Sequence, residues 1–211
     1  MNKTNYLIIT CFILSIFTWF LADEQTIGML AFSTQNLLSA RIWTPITALF
    51  IHSDPAHLIG NMIFFYIFGN TIENELDYKW LLIPFFVGGI VSFLLSIPFF
   101  ETSTLMVGAS AAIFTLTAIV MLLKPLKFSF YFLMPLGLVA VIYFAYNLIA
   151  INMGTQGNIS YIGHVIGFLI GLPFGIASNK NWQKNLLITA ILFGIYFFIT
   201  WLILPAILNI I

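Results

Sequence analysis

Ser110 sits in the stretch LMVGASAAIF, among glycine, alanines and large apolar residues. A serine hydroxyl attacks a carbonyl carbon only when a neighbouring base takes its proton, and a histidine within hydrogen-bond reach is a common base for this. Of the three histidines, His164 stands in GHVIGFLIGLPFG and His57 in HLIGN, four residues before Asn61. The tetrahedral oxyanion formed by such an attack needs fixed donors, and each one removed costs about 10²–10³ in rate. His57, the Asn61 amide and the backbone N–H of Ser110 are the candidates for that role. No Asp or Glu lies in the apolar runs to orient His164. The chemistry these residues allow is therefore acyl transfer by a Ser110–His164 dyad. Phe114, one turn beyond Ser110 on the same helix face, is placed to pack against the imidazole.

The elements that must position these groups are set by composition. The chain has 211 residues, 61% hydrophobic and 7% charged, with 23 phenylalanines, more apolar surface than one soluble core can hide. It reads as an integral membrane protein. A formal net charge of zero offers no basic field for nucleic acid. No metal-ligand cluster or phosphate-binding glycine loop appears, so neither a metal nor a cofactor is expected. The single cysteine, Cys11, allows no internal disulfide and excludes a zinc thiolate site; it reads as an inert packing residue.

The charge-free runs predict seven spanning helices, near 5–22, 56–72, 80–99, 108–123, 128–149, 160–178 and 185–209, with NMGTQGNIS dividing the long run 128–179. With the N-terminus inside, Lys3, Lys79, Lys124, Lys127, Lys180 and Lys184 fall on the cytoplasmic side and only Arg41 outside. Residues 23–55 then form an external segment, too apolar for a solvated loop and expected to lie in the interface as short amphipathic helices. Counting about 1.5 Å per residue from the cytoplasmic charges, Ser110 lies 14 residues from Lys124, His164 16 from Lys180, and His57 and Asn61 16 and 12 from Glu73. Three helices thus deliver all four groups to one layer, roughly 18–24 Å up.

Local signals support that placement. His57 and Asn61, spaced i, i+4, share a helix face. Asp54 is a natural N-cap for their helix, with Pro55 in its first turn. Gly163, Gly167, Gly171 and Gly175 recur at four-residue intervals and would admit a close neighbour, for which the small residues Gly108, Ala109, Ala111 and Ala112 are the natural partner. Glu73, Glu75 and Asp77 beside Lys79 read as a short charged turn with weak local ion pairs.

Together these residues resemble the rhomboid intramembrane serine proteases. The resemblance rests on HLIGN (His57, Asn61) in the second helix, GAS (Gly108, Ser110) opening the fourth, and HVIGFLIG (His164, Gly167, Gly171) in the sixth. WTPITALFIH is similar to the family's first external loop, and GNTIE to its G-x-x-x-E at the end of the second helix. It implies an all-α polytopic membrane bundle: a six-helix catalytic core over 1–178, with 23–55 as its external loop, then a short cytoplasmic loop and a seventh helix over 179–211. It also implies Ser110 as nucleophile, His164 as base and then acid, His57 and Asn61 in the oxyanion hole, and Gly108, Gly167, Gly171 and Phe114 packing around them. The implied partners are the lipid bilayer and single-pass transmembrane substrates, entering between the second and fifth helices and cut near their extracytoplasmic end. Water would reach the site past His52, His57, Thr102, Ser103 and Thr104. A prokaryotic cytoplasmic membrane is the expected location, with the active site opening outward. The chain departs from the family pattern at Ala111, where glycine is frequent, at Thr44, where arginine is frequent, at Phe114, where tyrosine is common, and at Gly163, where alanine is usual.

Each residue alone has a plainer reading: Ser110 as a small packing residue, His164 as a hydrogen-bonded core histidine, His57 and Asn61 as interhelical links, His52 as structural. Two other classes of function stay open on the residues. One is an inactive rhomboid-like, derlin-type binder of transmembrane segments. The other is a small transporter or channel, for which the inner helix halves FTLTAIVMLL and FLIGLPFGIA offer little polar lining.

Overall fold

The computed structural model describes residues 2–154 and 160–205. In chain order its helices are α1 (Lys3–Phe20), α2 (Glu24–Leu30), α3 (Thr34–Leu38), α4 (Thr44–Thr47), α5 (Pro55–Glu75), α6 (Tyr78–Ser96), α7 (Ser110–Leu123), α8 (Leu136–Asn152), α9 (Tyr161–Ser178) and α10 (Trp182–Phe198). α1, α9, α6 with its 3₁₀ extension to Phe99, and α10 with its wide-turn extension to Ile203 are long and apolar enough to cross a bilayer. The expected seventh helix, 185–209, runs past 205 and its end lies outside the described residues, as do 155–159 of the expected divider.

The bundle is built around α7. At 14 residues it is roughly 21 Å long, and every residue after Ser110 is buried. Helices α5, α6, α8, α9 and α10 all pack on it, α9 most extensively. The glycines of α9 explain why: a methyl group on Gly167 would run into the Ala111 carbonyl, and one on Gly171 into the Thr115 carbonyl. Backbone therefore meets backbone, and the Thr115 hydroxyl donates across the seam to the Gly167 carbonyl at 2.8 Å. Gly163 differs from the rest of the stripe, since its nearest neighbour is the Ser160 hydroxyl that caps its own helix. At the far end of α7, the carbonyls of Leu122 and Leu123 would be orphaned inside the bundle. The Asn185 amide donates to them at 2.7 and 3.0 Å, and the Asn179 amide donates to Leu122 at 3.0 Å.

The segment 23–55 folds as expected into short helices, and it fixes the entry to α7. Phe32 and Met106 exchange backbone hydrogen bonds at 3.0 and 2.7 Å, and the Gly108 N–H donates to the Ala48 carbonyl at 2.8 Å. The loop leading into Ser110 is thereby pinned from outside the bundle.

Three expectations need correction. Residues 128–135 are not the start of a helix: Phe128–Ser129 (β1) pairs antiparallel with Met134–Pro135 (β2), and α8 begins only at Leu136. The fourth long helix starts at Ser110 rather than 108, because Gly108 has φ +109°. Glu73 and Glu75 are not part of a solvated turn, because α5 continues through both. The Glu73 carboxylate accepts from the N–H groups of Lys3 and Thr4 at 2.7 and 3.0 Å and from the Thr4 hydroxyl at 2.9 Å, closing the start of α1. Gly69, one turn earlier, makes room for Thr4, whose methyl would lie 2.8 Å from an added Cβ. Glu75 pairs with Lys124 at 2.8 Å, and Asp77 caps α6.

Candidate active site

A cavity of about 600 Å³ opens among α5, α6, α7 and α9, and Ser110, His164, His57, Asn61 and Gly108 all line it. The three segments that carry the motifs are thus brought to one space. Among the described residues, the side chains of Ser110 and His164 do not hydrogen-bond one another.

Ser110 is half-buried at the first position of α7, so its own N–H and those of Ala111 and Ala112 have no acceptor within the helix. These are the donors a helix start presents to developing negative charge. The bend that aims them requires glycine: at Gly108 the φ of +109° is unfavourable for any other residue, and an added Cβ would lie 2.7 Å from Cε1 and 2.9 Å from Nε2 of His57. Asn61 Nδ2 lies 3.5 Å from the same point, and this buried donor has no hydrogen-bond partner among the described residues.

His57 is placed by the start of its helix. The Asp54 carboxylate accepts the His57 backbone N–H at 2.9 Å, capping α5 as the sequence predicts. That contact, followed by the Ser53 hydroxyl, holds the Asp54 carboxyl below the usual carboxylate range. Ser53 Oγ lies 3.1 Å from His57 Nδ1 and 2.8 Å from Asp54 Oδ2. The one Ser53 proton goes to the Asp54 carboxylate, so Ser53 Oγ accepts from His57 Nδ1–H, and Nε2, beside Gly108, becomes a donor only when the ring is protonated.

His164 is 6% exposed and held on two sides. Its ring lies on Phe114, with Tyr143 of α8 stacked on the opposite face of Phe114 at 4.6 Å and Phe64 of α5 on Tyr143 at 4.6 Å. Its Nδ1 lies 2.8 Å from Oδ1 of Asn147, on α8. The dyad expected from the sequence has no place for this amide. The available signal was an asparagine inside an otherwise apolar spanning run, which lipid penalises unless it faces a partner.

The water route differs from expectation. Thr104 and His57 line the cavity, whereas His52, Thr102 and Ser103 do not. His52 is buried, with Nδ1 3.1 Å from the Ser15 hydroxyl and its carbonyl accepting from Trp19 Nε1 at 2.8 Å, so it ties α1 to the loop before α5. Beside Thr104, the cavity is lined by the serines Ser53, Ser92, Ser96 and Ser160.

The sequence profile of the Rhomboid domain matches residues 39–181, well over half of the chain. The chain belongs to the rhomboid family. It is 24% identical over 158 residues to Rhomboid-like protease 2 of Toxoplasma gondii, covering 74% of this chain and 55% of that protein. It is 24% identical over 151 residues to RHOMBOID-like protein 7 of Arabidopsis thaliana, covering 69% and 47%. Over a shorter stretch of 79 residues it is 37% identical to the chloroplastic Rhomboid-like protein 11 of the same plant, covering 37% and 28%. The chain spans from about a quarter to about half of the length of these relatives.

Proposed function

We propose that this chain is an intramembrane serine endopeptidase that cuts transmembrane segments of other membrane proteins. The observation that carries this reading is the convergence of Ser110, His164, His57 and Asn61 on one cavity, with Asn61 Nδ2 unpartnered among the described residues beside Gly108. In the proposed reaction Ser110 Oγ attacks the peptide carbonyl and His164 accepts its proton. The oxyanion takes hydrogen bonds from the Asn61 amide, the Ser110 N–H and the His57 imidazole, which donates from Nε2 in its protonated form. His164 then protonates the leaving amine, and water, activated by the same imidazole, releases the acyl group and restores Ser110.

The proposed entry lies between α5 and α8, where the stacked rings of Phe64 and Tyr143 close the bundle. The charge distribution favours an extracytoplasmic opening and a cytoplasmic N-terminus. A prokaryotic membrane rests on the sequence expectation alone, since the relatives above are from a plant and an apicomplexan. A transporter reading finds little support in α7, whose two buried threonine hydroxyls, Thr115 and Thr117, are engaged by backbone carbonyls.

The test is cleavage of a single-pass substrate with a helix-destabilising outer end, by purified wild type and Ser110→Ala in liposomes, beside labelling by a fluorophosphonate. Wild-type cleavage and labelling that are both lost in the variant support the protease. A folded wild type that neither cleaves several substrates nor labels leaves the binder of transmembrane segments as the better reading.

A further inference from the structure

The hydrogen bond between His164 and Asn147 decides which nitrogen of the imidazole carries the proton. Asn147 is 1% exposed on α8, and its amide has two ends with different partners. Its Nδ2 donates to the Tyr143 carbonyl, one turn back on the same helix, at 2.7 Å. A carbonyl accepts only, so the NH₂ group must face Tyr143 and the oxygen must face His164. Oδ1 in turn only accepts, so at 2.8 Å the imidazole must donate through Nδ1–H. In a neutral ring the lone pair is then confined to Nε2.

Helix α8 grips the same ring from its face as well. Tyr143 stacks on Phe114, which stacks on His164. One turn of α8, from Tyr143 to Asn147, thus sets both the tilt of the imidazole plane and its rotation within that plane.

We infer that Asn147 is a positioning residue for the proposed proteolysis: it holds His164 in the Nδ1–H tautomer with Nε2 free to take the Ser110 proton, the work a buried carboxylate does in a three-residue serine hydrolase. Unlike a carboxylate it does this without placing a charge in the bundle. This inference rests on the protease reading, and it adds a third member to the expected dyad.

Three measurements test it. In wild type labelled with ¹⁵N-histidine, with His164 assigned by loss of its signals in His164→Gln, the nitrogen spectrum of the neutral ring shows a protonated Nδ1 and an unprotonated Nε2. The opposite tautomer overturns the inference and needs no variant at position 147 to fold. Asn147→Leu keeps the side-chain shape and removes the acceptor, so kcat for a single-pass substrate falls about 10- to 100-fold, less than the 10²–10⁴ contributed by the base itself, with KM little changed. The rate of fluorophosphonate labelling falls with it. Asn147→Asp restores most of kcat, because a neutral carboxyl can donate to the Tyr143 carbonyl and accept from Nδ1–H. An active wild type with Asn147→Leu equally active overturns the role of Asn147 alone. Asn147→Asp as impaired as Asn147→Leu overturns it too, by making the position one of packing. A wild type that neither cleaves nor labels overturns the protease reading and this role together.

Discussion

The imidazole of His164 lies almost flat on the ring of Phe114, with centroids 4.5 Å apart and planes 10° from parallel. Phe114 is 1% exposed and stacked on its other side by Tyr143, so it acts as a spacer between the proposed base and α8. Stacked aromatic pairs contribute about 0.5–1.5 kcal/mol beyond their burial. Phe114→Leu keeps an apolar side chain of similar bulk and removes both stacks. It is expected to lower stability by about 1–3 kcal/mol, as two such pairs would, and to slow fluorophosphonate labelling of Ser110 about tenfold. Thermal unfolding in detergent, measured beside the labelling rate, checks both numbers.

Asn61 offers a cleaner separation of activity from stability. Its buried Nδ2 has no hydrogen-bond partner among the described residues, so nothing in the resting protein depends on it. Removing a buried donor that is already unsatisfied is neutral or stabilising. Asn61→Ala is therefore expected to leave the unfolding midpoint unchanged or slightly raised while kcat drops about 10²–10³-fold with KM nearly constant. Steady-state cleavage of a single-pass substrate and a melting curve on one preparation decide it. A large loss of stability with retained kcat would make Asn61 an interhelical link.

How much of this was legible in the sequence depends on whether the determining contact was local. The cap at Asp54, three of the four α9 glycines (Gly167, Gly171 and Gly175) facing α7, and the short helices of 23–55 follow from spacing and residue type, and the structure has them. The hairpin of β1 and β2 was hidden, because FSFYFLMP is apolar throughout and carries no period that separates strand from helix. What delays the helix there is pairing, with the Leu136 N–H donating to the Lys127 carbonyl at 2.8 Å, and Leu133 at φ 55°. The partner of His164 was hidden for a related reason. Asn147 is 17 residues away on another helix, and only the packed bundle sets the two side by side. Glu73 looked like a loop charge because its partners, Lys3 and Thr4, lie 70 and 69 residues earlier in the sequence.

Two glycines should respond differently to the same substitution. At Gly167 an added methyl meets the Ala111 carbonyl and backbone of α7, neither of which can rotate away. Gly167→Ala is expected to destabilise by about 1–3 kcal/mol, the range for overpacking, and to reduce cleavage by displacing α9 and His164 with it. At Gly108 the obstacle is the His57 ring 2.7 Å away and the positive φ, both in the loop before Ser110. Gly108→Ala should cost less in unfolding, since the His57 ring is a side chain that can shift where the α7 backbone cannot, yet remove most of the cleavage by turning the Ser110 N–H and displacing His57. Parallel melting and cleavage curves separate the two, and equal stability losses would refute the distinction.

Asp54 connects the helix cap to the pH dependence of stability. Its carboxylate accepts the His57 N–H at 2.9 Å and the Ser53 hydroxyl at 2.8 Å, which depress its pKa in the folded protein. A folded pKa below the unfolded value, about 3.9 for aspartate, means the stabilisation is present above that value and is lost as pH falls through the folded pKa. Asp54→Ala should therefore cost about 1 kcal/mol at neutral pH, the usual worth of an N-cap. That gap to wild type should hold down to about pH 5 and narrow below about pH 4, toward what a neutral cap oxygen keeps. Asp54→Asn keeps a neutral side-chain oxygen at the cap, so its stability should lie near wild type at neutral pH and its gap to Asp54→Ala should persist in acid. Melting midpoints of the three proteins across that range give the answer: a wild-type advantage over Asp54→Ala that survives unchanged below pH 3 would mean that the charge at Asp54 contributes nothing to holding His57 in place.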